Sequence, residues 1–499
     1  MEKCSYIEGI SPNIDYMSTE KILVGREKEI VRFEYMLNSP QAEFLVVYGR
    51  RRVGKTFLIK EHFKNHIVFS FTGAFEAELD LQLDNFFNEY YRWTNGKLKN
   101  EPPKNWTEAF EYLTQYLLSI RRRKKKIVVF IDELPWLDTP RSRFLSALEY
   151  FWNQHGSQMD HLLLVTCGSA ASWMHKNLLK AKGGLYNRVT QRIALKPFTL
   201  SEVERYFNKR NLKYTRYQIV QLYMVMGGIP FYLKEIRKGM SVDQAIDEIC
   251  FTEGGLLSDE YNQLYYSLFK NAEDHIALVE ALAAHPTGLT RSNLVKNSGV
   301  PDGGTFTRAL TNLVDCGFVN SYLPHRKRKK DTVYRLMDQY SLFYLKFIQG
   351  NVTGRSNLWQ SLQSSSGYVP WSGYAYENVI LRHIDEIHTA LNIGGVHTQV
   401  SSWRFAGDDT VPGSQIDLLI DRKDGIIHLC EVKFTNKEFT LDKAYATKLR
   451  QRRGIFEYAS KTKKAVVTTL VTTYPAIENK YYNEEVHSEV TMDELFEDF

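Results

Sequence analysis

No uninterrupted apolar stretch in the sequence approaches the length of a membrane span, which sets aside an α-helical membrane protein. Cysteine is scarce. The five in 499 residues, Cys4, Cys167, Cys250, Cys316 and Cys430, are widely scattered. None forms a CxxC pair or sits at metal-ligand spacing with a histidine, so neither a disulfide framework nor a zinc pattern is present. Cys167, Cys316 and Cys430 fall in apolar stretches and read as small core residues. The start of the chain lacks the basic residues and apolar run of a secretory leader. The expectation is a reduced, cytoplasmic protein. A net charge of +6 is modest for this length and gives no case for nucleic acid by itself.

What is present is a globular composition, with 43% hydrophobic and 13% aromatic residues. The length exceeds a single core and implies about three or four domains. Charge is uneven along the chain. Arg121 to Lys126 is a run of six bases and Arg326 to Lys330 a run of five, while Glu484 to Phe499 holds seven acids and no Lys or Arg. Taken alone, such blocks are usually solvated faces or tails.

The most informative segment is Gly49-Arg50-Arg51-Arg52-Val53-Gly54-Lys55-Thr56, a complete Walker A pattern. Glu43 to Tyr48 before it reads as a buried strand, and Phe57 to Phe63 after it has helical apolar spacing. The glycines let backbone N–H groups curl round a polyphosphate, and the helix that follows points its positive end at it. Lys55 would reach the β- and γ-phosphates and the Thr56 hydroxyl would sit on Mg²⁺. The expected ligand is ATP with Mg²⁺.

A second apolar run, Ile127 to Ile131, closes on Asp132-Glu133, the Walker B pattern. Asp132 would hold the Mg²⁺ through water and Glu133 would polarise the attacking water. A third buried strand, Leu162 to Thr166, runs into Cys167-Gly168-Ser169. Ser169, with Thr166 second, is the candidate to sense the γ-phosphate; a helix N-cap is the other reading of Ser169. Val24 to Glu29 precedes the first strand and reads either as an adenine-side segment or as a helix start.

Together these motifs resemble the STAND-like branch of AAA+-related P-loop ATPases, and most of all a prokaryotic group that joins such a module to a winged helix and a nuclease-like domain. Tyr186-Asn187-Arg188, Leu195-Lys196-Pro197-Phe198 and Gly227-Gly228-Ile229-Pro230-Phe231-Tyr232-Leu233 extend the resemblance over nearly the whole chain. Asn187 stands where that group often has glycine. The resemblance implies an ATPase domain over residues 1–200 and a helical lid over 201–272. It also implies that Arg188, or Arg192, approaches the γ-phosphate from the same chain or from a neighbouring subunit.

Residues 273–350 read as a winged helix: three helices, then two strands joined by a hairpin that carries Arg326 to Lys330. The third helix, Thr305 to Cys316, is of the type that enters a major groove, with the basic hairpin on phosphate. Such modules also dock proteins, so DNA and a protein partner both stay open. After a linker at Ser361 to Gly367, residues 368–499 change character. Asp417 on one strand and Glu431-Val432-Lys433 on the next form the pattern of PD-(D/E)xK nucleases. Alternate strand residues share a face, which puts Glu431 and Lys433 in one cleft beside Asp417. Two carboxylates there would bind Mg²⁺ and activate water, and Lys433 would orient the nucleophile. Glu377, on the helix before the sheet, matches the extra acid of that fold, and Lys443 and Lys448 lie on the helix after it. The fold class expected is α/β throughout: an AAA+-like ATPase domain with lid, a winged helix and a restriction-endonuclease-like domain. An ATP-driven, DNA-directed nuclease, a switch or adaptor with an inactive nuclease fold, and a DNA-binding regulator remain open.

Overall fold

The computed structural model describes residues 23–97, 101–120, 126–179, 185–351 and 357–497. Cys4, Arg121 to Lys125 of the first basic run and the last two residues of the acidic end lie outside the described residues.

Helix α1 (Glu27–Leu37) leads into β1 (Glu43–Tyr48), α2 (Lys55–Phe63) and β2 (Ile67–Thr72). Helices α3 (Leu79–Thr94) and α4 (Trp106–Ser119) precede β3 (Ile127–Asp132). Helix α5 (Phe144–Gln154), β4 (Leu162–Gly168), short α6 (Ala171–Met174) and β5 (Gln191–Ala194) complete this part. The strands form one parallel sheet in the order β2-β3-β4-β1-β5. β3 and β4 are buried along their whole length, which is why both read as unbroken apolar runs. β1 alternates between two cores. Leu45 and Val47 face one, while Phe44 and Val46 face the other with α3, α4 and α5. β4 lies between β1 and β3, so the segments leaving all three strands at their carboxyl ends border one crevice, where open α/β sheets bind ligands.

A helical segment follows: α7 (Leu200–Lys209), α8 (Arg216–Met226), α9 (Pro230–Leu233), α10 (Val242–Ile246) and α11 (Glu260–Tyr266). Capping boxes at Thr199/Glu202, Thr215/Gln218 and Ser241/Gln244 start three of these helices. Gly227 closes α8 and Pro230 opens α9. Between them Gly228 lies so close to Phe198 that a Cβ would fall 1.9 Å from its carbonyl oxygen. That approach fastens the Leu195-Lys196-Pro197-Phe198 segment to the helices.

Next comes a small α/β unit: α12 (Ala272–Ala283), β6 (Leu289–Thr290), α13 (Arg291–Ser298), α14 (Gly304–Asp315), β7 (Val319–Tyr322) and β8 (Val333–Leu336), the strands antiparallel in the order β6-β8-β7. Phe306, Leu310 and Leu313 form the buried face of α14, and Thr305, Thr307, Arg308 and Thr311 its open face. Helix α15 (Gln339–Phe343) leads on.

The expected linker is partly helical. Helix α16 (Leu358–Gln363) covers its first residues because Trp359, only 2% exposed, packs on the rings of Phe343, Phe347 and Trp371. Helix α17 (Tyr368–Arg382) and α18 (Ile384–Ala390) precede β9 (Thr398–Gly407), β10 (Pro412–Arg422) and β11 (Ile426–Lys433). A short parallel pair, β12 (Phe439–Thr440) and β14 (Ala476–Ile477), brackets α19 (Lys443–Ser460) and β13 (Ala465–Thr472). Helix α20 (Lys480–Glu485) and β15 (Ser488–Val490) close the unit. The main sheet runs β15-β13-β11-β10-β9, with β9, β10 and β11 an antiparallel meander and β13 parallel to β11. Ile416, Leu419, Ile427 and Leu429 pack with Phe456 of α19, while Leu418, Ile420 and Cys430 belong to the core shared with α17. That core runs without a break from α1 through the helical segment and the small unit to Phe496, so the parts are packed as neighbours.

Candidate functional site

The loop after β1 is built for a phosphate chain. Gly49 (φ +143°), Arg52 (φ +73°) and Gly54 (φ +92°) bend it so that α2 starts at Lys55. At Gly49 a Cβ would sit 2.3 Å from the carbonyl of Leu195, a second reason for glycine. The Lys55 ammonium folds over the loop and donates to the carbonyls of Gly49 and Arg50, each at 2.9 Å. Val53 is buried and its carbonyl accepts from Arg26 at 3.3 Å.

The three loop arginines divide their roles between backbone and side chain. Their main chain belongs to the phosphate loop, but the side chains reach outward to other parts of the protein. Arg50 is ion-paired with Asp338 and lies over the ring of Phe318 at 4.5 Å. Arg52 pairs with Glu260 at 2.6 Å and lies over Phe231 at 4.4 Å. Arg51 lies over Trp136 at 5.9 Å. Arg26 does not cap α1 with its side chain. Its N–H donates to Glu202 at 3.1 Å and its guanidinium covers Phe198, tying the Val24 to Glu29 segment to α7.

The acids at the end of β3 meet this loop. Thr56 Oγ1 donates to Asp132 Oδ2 at 2.8 Å. The other Asp132 oxygen accepts the Glu133 N–H at 2.9 Å and the Cys167 thiol. Burial, with the charge of Asp132 next, pushes the Cys167 thiol well up, so it stays protonated and can donate. Glu133 has φ +46°, a left-handed conformation that costs an acidic residue on the order of 1 kcal/mol and is concentrated at working sites. Its carboxylate accepts from the Ser169 N–H at 3.0 Å and the Ser169 hydroxyl at 2.8 Å. Ser169 therefore holds Glu133. Thr166, fully buried, donates to the carbonyl of Leu45 within the sheet. Two oxygens side by side, one hydroxyl and one carboxylate, suit a hard divalent cation that keeps several waters. Thr56 and Asp132 thus fit Mg²⁺. Arg188 lies on the exposed turn before β5. No contact among the described residues joins it, or Arg192, to Thr56, Asp132 or Glu133.

The C-terminal acids have another geometry. The β10–β11 ladder pairs Leu418 with Cys430, which brings Asp417 and Glu431 one step further along adjacent strands. The β9–β10 register slips between Ile416 and Leu419, so Asp417 sits in a bulge, a device that re-aims a side chain. Asp417 accepts from Gln415 at 2.6 Å. Lys433 Nζ lies 2.9 Å from Glu431, as strand alternation requires. Glu431 also binds Arg452 and Tyr445, both on α19. Burial alone would raise the Glu431 pKa, but Lys433 and Arg452 outweigh it and hold it low. Glu377 pairs with Arg335 of β8 at 2.9 Å, and burial, against that arginine and with help from Asp417, pushes its carboxyl up. Among the described residues no three His, Cys, Asp or Glu side chains converge to hold a metal ion. The residue types suit a divalent cation, but in this arrangement Glu377 Oε2 and both oxygens of Glu431 are taken by cations of the chain. Lys443 and Lys448 are exposed on α19.

The residues that sequence reasoning missed are those paired across long separations: Arg335, Asp338, Glu260, Tyr445 and Arg452. Only Tyr445 and Arg452 carried a local signal, since they stand two turns apart on one helix face.

No helix of the described residues is long and apolar enough to cross a membrane. Over 454 residues the chain is 24% identical to an uncharacterised protein of the archaeon Methanocaldococcus jannaschii, covering 88% of this chain and 94% of that one. An uncharacterised ATP-binding protein of the same organism is 43% identical over 44 residues, 9% of this chain and 75% of that protein. Among solved structures, a Walker-type ATPase of Pyrococcus abyssi aligns with a TM-score of 0.47 at 20% identity, over 65% of this chain and 96% of that one. The ORC2 protein of Aeropyrum pernix aligns with a TM-score of 0.44 at 16% identity, over 69% and 96%. Residues 23–236 match the model of a family described as an ATPase domain predominantly from Archaea, and the chain carries an ATPase domain of that kind.

Proposed function

We propose that the protein hydrolyses ATP and uses the nucleotide state to control a DNA-directed C-terminal nuclease fold. The observation that carries the first half is the 2.8 Å hydrogen bond between Thr56 and Asp132, with Lys55 at the first position of α2 and Glu133 beside them. In this reading Lys55 and the loop N–H groups hold the β- and γ-phosphates, and Thr56 and Asp132 hold Mg²⁺, which neutralises the charge that develops on the phosphates. Glu133 orients the attacking water once it leaves Ser169. Arg188 or Arg192 would act from a neighbouring copy, which gives a homo-oligomer a role.

The second half draws its support from topology and charge. Helices α12, α13 and α14 with the β6-β8-β7 sheet have the order of a winged helix, α14 has an open polar face, and Lys327 to Lys330 are exposed on the hairpin. Helix α17, the β9-β10-β11 meander, α19 and β13 follow the order of the PD-(D/E)xK core, with Asp417, Glu431 and Lys433 on its central strands. The helices α7 to α11 stand where a lid would. A second reading, a nucleotide-controlled switch or adaptor with an inactive nuclease fold, is favoured by the cations on Glu377 and Glu431.

The test is cleavage of linear, circular and single-stranded DNA with Mg²⁺ or Mn²⁺, with and without ATP. The expected result is that Glu431→Ala abolishes cleavage and Lys55→Ala alters it. Intact ATP turnover with no cleavage of any substrate would transfer the weight to the switch.

A further inference from the structure

Two of the cations on the C-terminal acids, Lys433 and Arg452, belong to the same unit. The third does not. Arg335 comes from β8 of the small unit and is 2% exposed. Its guanidinium donates to Glu377 Oε2 at 2.9 Å, to Asn378 Oδ1 at 2.9 Å and to the Tyr374 carbonyl at 3.4 Å. Asn378 returns a hydrogen bond to the Leu336 carbonyl at 2.9 Å, so β8 and α17 are fastened together at neighbouring residues. Tyr322 of β7, the strand paired with β8, stands within the field of Asp417 and Glu377. The small unit thus sets a strand beside Asp417 and Glu377 and places one buried charge on Glu377.

The segment that carries Arg335 also carries Asp338, the partner of Arg50 in the phosphate loop. One short stretch, Arg335 to Asp338, therefore touches the C-terminal acid at one end and the nucleotide loop at the other. The sequence separation of these pairs is large, and only the tertiary fold brings them together.

A buried guanidinium on a carboxylate and a divalent cation on the same carboxylate compete. The cation would have to displace the arginine or accept its repulsion at short range in a weakly screened site. We propose that Arg335 is an autoinhibitory cation: it occupies Glu377 in place of a divalent ion and keeps the Asp417–Glu431 site unloaded until it withdraws. This rests on the reading of the C-terminal unit as a metal-dependent nuclease fold. The three acids are of the right kind, and Arg335 on Glu377, together with Lys433 and Arg452 on Glu431, holds them in ion pairs rather than around a metal.

The experiment is Mn²⁺ binding to the full chain, read from the electron paramagnetic resonance signal of free Mn²⁺. It is made without nucleotide and with Asp132→Asn present, so that the phosphate site does not contribute. Arg335→Gln keeps a polar contact to Asn378 and removes the charge. It should bind Mn²⁺ tighter by roughly ten-fold or more, the scale of one charge-assisted hydrogen bond. Adding Asp417→Ala should abolish that gain. Equal binding with and without Arg335, abolished by Asp417→Ala, would leave the metal site standing and overturn the latch alone. No binding in any folded variant would remove the metal site, and the latch with it. Should Arg335→Gln fail to fold, amide exchange of the unsubstituted protein decides: saturating Mn²⁺ should speed exchange at Val333–Leu336, and unchanged exchange with metal bound overturns the proposal.

Discussion

Arg50 and Asp338 form a buried ion pair that joins the phosphate-binding loop to the first turn of α15, with both side chains nearly sealed from solvent. The second Asp338 oxygen accepts the Ser341 N–H at 2.9 Å and the Ser341 hydroxyl at 2.5 Å, so the acid is also the N-cap of that helix. Burial works to raise the Asp338 pKa, but Arg50 and Ser341 outweigh it and hold it below the usual carboxylate range. Burial likewise works to lower that of Arg50, and Asp338 reverses the sign. A depressed carboxylate contributes stability above its unfolded value near 3.8, and this is lost as the pH falls through the folded value.

Breaking this pair from one side should be costly. Asp338→Ala leaves Arg50 charged and buried without a partner, which costs about 3–5 kcal/mol. Arg50→Met together with Asp338→Ala should recover a large part of that loss, because no uncompensated charge remains. Urea unfolding of the two single variants and the double one measures the coupling. Additive losses would mean that the pair does not couple loop and helix.

Glu133→Gln should lower ATP turnover by roughly 10²–10⁴-fold, the range of a positioned base. Nucleotide affinity should be unchanged, since the amide can still accept from Ser169. A turnover assay beside equilibrium binding of a fluorescent ATP analogue separates the two. Turnover close to that of the unsubstituted protein would remove Glu133 from the reaction.

In the proposed site Cys167 would act on Mg²⁺ through Asp132, whose Oδ1 its thiol holds. Cys167→Ala removes the donor that fixes one carboxylate oxygen, while Cys167→Ser keeps a donor in place. The alanine variant should need roughly ten-fold more Mg²⁺ for half-maximal turnover, as losses of partners behind metal-binding residues do. The serine variant should stay near the parent. Equal Mg²⁺ requirements in the two variants would show that the thiol is only packing.

The phosphate loop could be read in the sequence because its geometry is local: consecutive residues make the bend, the cradle and the helix start. The Asp132-Glu133 strand was legible because parallel strands buried on both faces leave apolar runs. Asp417, Glu431 and Lys433 were legible as types on two neighbouring strands, but the bulge at Asp417 was not, since it depends on the partner register. Strand β9 escaped because Thr398 to Gly407 is half polar and lies at the sheet edge. Helix α16 escaped because Ser361 and the serines that follow the helix read as linker, while one tryptophan decides its place. Arg50 appeared as a phosphate-loop residue only, since its partner is 288 positions away.

His383 makes the packing of α7 against α17 sensitive to acid. Its Nε2 accepts the Leu200 N–H at 3.0 Å, and its Nδ1 faces the Val379 carbonyl at 2.8 Å, so the ring serves as a neutral Nδ1–H tautomer. Burial, reinforced by Arg382, lowers its pKa from 6.5 to about 4. The unfolded chain therefore binds the proton first, and stability present above 6.5 is lost as the pH falls toward 4. Between pH 7 and pH 5 this amounts to about 2 kcal/mol. His428, also near 4, adds a share of its own. His383→Gln, which can accept from Leu200 without titrating, should flatten part of the dependence in denaturant unfolding at the two pH values. An identical slope would place the acid sensitivity elsewhere.

The hairpin between β7 and β8 offers the clearest test of nucleic-acid binding, because its five bases do not all have the same freedom. The Arg326 guanidinium donates to the Ser460 carbonyl at the end of α19, and the His325 N–H donates to the Ser402 carbonyl at 3.0 Å, so the base of the hairpin is docked on the C-terminal unit. Lys327, Arg328, Lys329 and Lys330 are exposed beyond it, and Lys461, also exposed, follows the Ser460 that Arg326 holds. A cationic surface that bridges two units would track a phosphate backbone. Changing Lys327, Arg328, Lys329 and Lys330 to Glu while keeping Arg326 preserves the docking and reverses only the free charges. Duplex affinity should fall, and the slope of log affinity against log salt should become shallower by about 0.9 for each phosphate that is no longer neutralised. Fluorescence anisotropy over a salt series measures both quantities in one titration. If affinity and slope are those of the unsubstituted protein, the hairpin is a solvated surface and any DNA-binding face lies elsewhere, with the open face of α14 and Arg308 the next residues to change.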